Sequence, residues 1–152
     1  MNFAGSDYMN TELVSLDSLL LGGVSFYGDP ISIKGGWDTE NEIGKTWNRF
    51  VEFITKNIER PYSLHTQYMY EVHVYGGETA VKGYFEVFVG EEVNTVQLPI
   101  ALSTKFISAS DYLKITLMGK EITGDWWKKL DADIIPVNRV KRNSSYRYHY
   151  SQ

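Results

Sequence analysis

The sequence contains no cysteine, which excludes disulfides, thiolate metal sites and cysteine nucleophiles and fits a reducing compartment. No stretch approaches the roughly 20 apolar residues needed to span a bilayer. Residues 1–7 carry neither a basic region nor an apolar run, so no secretory signal is expected. Positive charge is not in excess: 15 Lys plus Arg stand against 19 Asp plus Glu, a formal charge of -4. Such a chain has no general attraction to phosphate backbones or anionic lipid. The basic run at Arg139, Val140, Lys141 and Arg142 reads as a solvated connection. His65, His73 and His149 do not show a metal-ligand spacing. Ser144 and Ser145 lack a nucleophile-elbow context, and no glycine-rich phosphate loop precedes a helix. No metal, nucleotide, covalent-nucleophile site or cofactor is therefore expected.

What is present suffices for a compact, soluble domain. A chain of 152 residues has the size of one domain and buries a substantial core without staples. Its 43% hydrophobic and 22% charged residues lie far from the composition of a disordered chain. Aromatics are abundant, with 11 Tyr, 7 Phe and 4 Trp. Such rings serve a core, or an apolar wall with a wet edge; their number alone does not separate the two.

A first strand is expected within 13–26, interrupted or bent near Gly22 and Gly23, followed by a turn at Gly28, Asp29 and Pro30. Over 31–38 no element is defined, and Trp37 there is either a loop aromatic over a cavity or a lid on the core. Thr39 is the expected helix cap, with Glu40 and Glu42 complementing the first amides. Ile43, Trp47, Phe50, Ile54 and Ile58 form one apolar stripe, and Arg60-Pro61 stops the helix. Runs 68–75 and 82–89 alternate as strands and read as an antiparallel hairpin turning at Gly76-Gly77. Residues 90–94 lead out of it, and Leu98, Pro99 and Ile100 form an extended connection. A strand over 111–118, a shorter helix through Ile122, Trp126 and Leu130, a connection at 133–137 and a terminal strand over 144–150 complete the chain. The order predicts an α+β fold of duplicated strand–helix–strand–strand units, with helices covering one side of antiparallel sheet.

Strand alternation sets Met69, Glu71, His73 and Tyr75 on one face of their strand, and Tyr84, Glu86 and Phe88 on one face of the next. A carboxylate, Glu71 or Glu86, in an aromatic-lined recess would suit a flat or amphiphilic organic cation. The competing reading is a wet sheet face with both glutamates solvated. Cross-strand placement of Glu71 and Glu86 would also permit an acid–base pair. His73 reads as a polar strand-face residue or satisfied partner.

The helix at Ile43, Gly44, Lys45, Thr46, Trp47, Asn48, Arg49 and Phe50, the strand at Tyr68, Met69, Tyr70, Glu71 and Val72, and Leu98-Pro99-Ile100 come in a distinctive order. With the strand at Tyr112, Leu113, Lys114 and Ile115, the pair Trp126-Trp127 and the aromatic terminal strand, that order resembles the GyrI-like small-molecule-binding domain. The same domain serves as an effector-binding module of bacterial transcription regulators. The resemblance covers about 13–150 and implies one domain with pseudo-repeat halves of about 13–90 and 98–150 around a concave ligand surface. It implies binding of hydrophobic, often cationic compounds. Family members also include gyrase inhibitors and hydrolases of reactive organic compounds. An acidic residue that members place beside aromatics near the last strand falls here on Tyr148, or in a shifted register on Arg147 or His149. Glu71 or Glu86 would then compensate, or the ligand would be neutral.

The expected function is a stand-alone, cytoplasmic, non-enzymatic binding protein for hydrophobic or cationic small molecules, a transcriptional or stress-response effector of the multidrug-binding type. Tyr68, Glu71, Tyr84, Glu86 and Tyr148 are the candidate ligand-binding residues. The alternatives are a hydrolase in which Glu71 or Glu86 activates water, and a gyrase-inhibiting or other protein-interaction module with a protein partner. The segment before Leu13 is too short for a helix-turn-helix reader, so no direct DNA binding is expected.

Overall fold

The computed structural model describes residues 10–31, 38–76 and 82–118, and the backbone of 146–151. In chain order these form β1 (Asn10–Leu16), β2 (Leu19–Gly28), α1 (Glu42–Lys56), β3 (Met69–Val74), β4 (Phe85–Glu92), β5 (Ser103–Ile107), β6 (Ser110–Thr116) and β7 (Tyr146–Ser151). Among the described residues the architecture is thus antiparallel sheet with one helix, an α+β arrangement. The expected features at residues 1–7, Trp37, 122–130, 133–137, 139–142 and 144–145 lie outside the described residues. No helix among the described residues is long and apolar enough to cross a membrane.

The chain divides into two compact units. In one, β1 and β6 pair antiparallel from Asn10 opposite Thr116 to Leu16 opposite Ser110. Ser15 Oγ donates to Asp111 Oδ1 across this ladder at 2.6 Å. In the other unit, five strands form a sheet in the order β5-β2-β4-β3-β7, every neighbour antiparallel. The sequence of β2, α1, β3 and β4 follows the expected strand–helix–strand–strand order. Strands β5 and β7, from the second half of the chain, flank those of the first half in this one sheet.

The expected first strand is two strands, and the interruption falls at Asp17–Ser18, not at Gly22-Gly23. Those glycines lie inside β2, which pairs with β4 on one side and β5 on the other. Gly23 is opposite Gly90. A Cβ on Gly23 would overlap the Val89 carbonyl oxygen, and one on Gly90 would overlap the Gly22 carbonyl oxygen. The glycines thus permit a close approach of two backbones. For the same reason Gly90 does not lead out of the hairpin: β4 continues through it to Glu92. Pairing of β3 with β4 follows the expected hairpin, with His73 opposite Val87.

The cap of helix α1 lies two residues later than expected. Asn41, not Thr39, is the N-cap, and its side-chain oxygen accepts from the Gly44 N–H at 3.0 Å. Asn41 is buried, so solvent does not readily replace this bond. Asn41→Ala is expected to lower stability by about 1 kcal/mol, read as a lower urea midpoint at unchanged slope.

Ile43 and Phe50 join Val24, Phe85, Val87 and Val89 in the core, with Trp47 and Ile54 packed against it. The stripe fails at its last member: α1 ends at Lys56 and Ile58 is 74% exposed. Here Arg60 returns over the helix end, donating from Nη1 to the carbonyl of Asn57 at 2.9 Å. Its Nε and Nη2 grip the Glu91 carboxylate at 3.1 and 3.0 Å. Nearby, burial pushes the Tyr62 phenol above its ordinary pKa, while Arg60 pulls it down and Glu91 pushes it up.

Candidate functional site

The odd-numbered residues of β3 and β4 face α1. Register sets Glu71 opposite Val89 and His73 opposite Val87, and both valines belong to the core beneath the helix. This corrects the expected grouping of Glu71 with Glu86, Tyr84 and Phe88. It also excludes the cross-strand acid–base pair, because Glu86 is opposite Val74 and points to the other side of the sheet.

On the helix side Glu71 is only 3% exposed. Its Oε1 accepts from the indole N–H of Trp47 at 2.5 Å, and its Oε2 lies 2.6 Å from His73 Nε2. His73 Nδ1 is in turn 3.2 Å from the Tyr75 hydroxyl. The Phe85 ring lies against both, with centroids 5.2 Å from His73 and 4.9 Å from Tyr75. An ionised carboxylate only accepts, so with a neutral imidazole Nε2 carries the proton and Nδ1 accepts from the phenol. Among the described residues the result is a directed chain from Tyr75 through His73 to Glu71, to which Trp47 also donates. His73 is therefore a satisfied partner, one of the two roles expected for it. The indole donor has no signature in the sequence, where Trp47 is one more member of the apolar stripe.

The opposite face carries Leu21, Val72 and Phe88, all fully buried, so it is not a wet sheet face. Glu86, 28% exposed at its side chain, forms an ion pair with Lys105 of β5. The Lys105 ammonium also stands 5.9 Å from the centroid of the Phe88 ring, within range of cation–π attraction. Further along, the Tyr70 hydroxyl donates to Glu92 Oε2 at 3.1 Å. Lys105 was not among the candidate residues. Its strand, Ser-Thr-Lys-Phe-Ile, opens on polar residues and lacks the alternation that marks a half-buried strand.

The remaining candidates are dispersed. Tyr68 is half-buried just before β3, its N–H donating to Thr66 Oγ1 at 3.3 Å. Tyr84 precedes β4 and is 45% exposed. Tyr148 lies in β7 with Val72 as its register partner; its side chain is outside the described residues. Among the described residues no three His, Asp or Glu are grouped to hold a metal ion. No protein-family model matches the chain, and no curated protein matches it in sequence.

Proposed function

We propose that this chain binds hydrophobic organic cations in a recess on the face of the five-stranded sheet away from α1, with Glu86 as counter-charge and Phe88 as floor. This is the role that the resemblance to GyrI-like domains implies. The observation that carries the reading is the position of Lys105: the chain's own ammonium sits on a carboxylate and beside an aromatic ring. Those are the two contacts that would attract an organic cation. A ligand would enter by displacing Lys105, which then returns to water.

Register and the ion pair together support a concave face. Lys105 is opposite Leu21 and Glu86 opposite Tyr27, six positions apart on β2 and on its two different neighbours. In a flat sheet that is about 20 Å along the strands and about 10 Å across. The two extended side chains span about half the resulting separation. Their ion pair therefore favours a sheet curled toward this side, and Gly23 and Gly90 lie between them, where a Cβ on either strand would overlap the other's backbone.

Calorimetric titration with tetraphenylphosphonium tests this. Lys105→Met should tighten binding about tenfold and Glu86→Gln weaken it about tenfold, each about 1.4 kcal/mol. Neutral triphenylphosphine oxide should not respond to either change. Absence of saturable binding by both wild type and K105M, or affinity indifferent to E86Q, refutes the proposal.

A further inference from the structure

The chain of groups beneath α1 performs no task in ligand capture on the other face, yet it has the parts of an activated nucleophile. A buried carboxylate orients an imidazole, and in the neutral imidazole the second nitrogen accepts from a hydroxyl. That is the logic by which a weak oxygen nucleophile is activated, whatever residue carries the oxygen. Glu71 and His73 are buried, whereas Tyr75 is half-buried and followed by exposed Gly76. Tyr75 is thus more accessible than Glu71 and His73. We propose that Tyr75 is a nucleophile for acyl transfer, activated by His73 and positioned through Glu71, and that its acyl donors are small uncharged activated esters. The Phe85 ring beside Tyr75 supplies an apolar wall that favours uncharged donors.

The proton account closes. As the Tyr75 oxygen bonds to the ester carbonyl carbon, the phenolic proton passes to His73 Nδ1. The imidazolium so formed is held at Nε2 by the Glu71 carboxylate, which the Trp47 indole N–H keeps in place. Collapse of the adduct breaks the bond to the alcohol portion, which leaves with the proton from Nδ1. Tyr75 then carries the acyl group as an aryl ester, and the imidazole is neutral. Water adds to that ester, giving a proton to Nδ1; the Tyr75 oxygen departs and recovers it. Ester and water become acid and alcohol, with no other reactant. A phenol is a better leaving group than an aliphatic hydroxyl, so the second step does not require a stronger base than the first.

The full chain is mixed with p-nitrophenyl acetate, quenched in acid at short times and analysed by absorbance, intact mass and peptide mapping. The expected result is a burst of one p-nitrophenolate per chain with acetate on Tyr75. Tyr75→Phe, which keeps the ring and its packing, should abolish burst and label while the far-ultraviolet circular dichroism spectrum stays that of the wild type. His73→Gln should slow labelling at least 100-fold and leave a residual rate that climbs with hydroxide, whereas the wild-type rate levels off. Acetylation spread over lysines and unchanged in Y75F overturns the proposal. So does Tyr75 labelling at the same rate and with the same pH profile in H73Q.

Discussion

Gly23→Ala unfolds the five-stranded unit or lowers its stability by at least about 3 kcal/mol, beyond the usual cost of overpacking. The added methyl group has no rotamer by which to escape. It would overlap the carbonyl oxygen of Val89, part of the β4 backbone, while β5 holds β2 from the other side. Relief therefore requires two strands to separate at the centre of the sheet. Gly76→Ala is the control, because nothing among the described residues lies within 4 Å of a Cβ there. It is expected to be neutral or stabilising by about 0.4–1 kcal/mol through the unfolded chain. Urea unfolding of the two variants measures the contrast. A Gly23→Ala protein as stable as wild type would show that the two backbones are not closely apposed.

Glu71→Ala is expected to cost about 3–5 kcal/mol, because two buried donors are left unsatisfied and a cavity opens. Two donors, the Trp47 indole N–H and His73 Nε2–H, lose an acceptor at once, and a hollow opens under the helix. Glu71→Gln keeps the volume and one acceptor oxygen, so its cost should be smaller, roughly 1–3 kcal/mol. Guanidinium unfolding ranks the two, and the indole emission of Trp47 should shift in the alanine variant. Equal stability of wild type and E71A would mean that the carboxylate is solvated, contrary to its place beneath α1.

The sequence reveals most where a periodic pattern runs through a whole element. The helix is legible from Ile43, Trp47, Phe50 and Ile54, because spacing alone puts them on one side. Its start is not: Thr39 and Asn41 are both good caps, and the choice depends on which oxygen reaches the Gly44 amide. Alternation likewise places Glu71, His73 and Tyr75 together, since they are two residues apart on β3. It does not say which side of the sheet they share. Register settles that by setting Glu71 opposite Val89, a long-range fact fixed by the pairing of β3 with β4. Gly22, Gly23 and Gly90 mislead in the same way. In sequence a glycine marks a break, whereas here the missing side chains let two central strands close up. Lys105 was hidden by its weakly patterned strand, and its partner Glu86 lies on a strand two positions away in the sheet.

Arg60 has a mechanical meaning. Its one rigid fork is engaged at the same time by the carbonyls of Ile54 in α1 and of Asn57 at its C-cap, and by a carboxylate of β4. Fraying of the final helical turn would pull that fork from Glu91 and strand a negative charge in the interior. The helix end and the strand are therefore held to a common fate, and local melting at one becomes costly at the other.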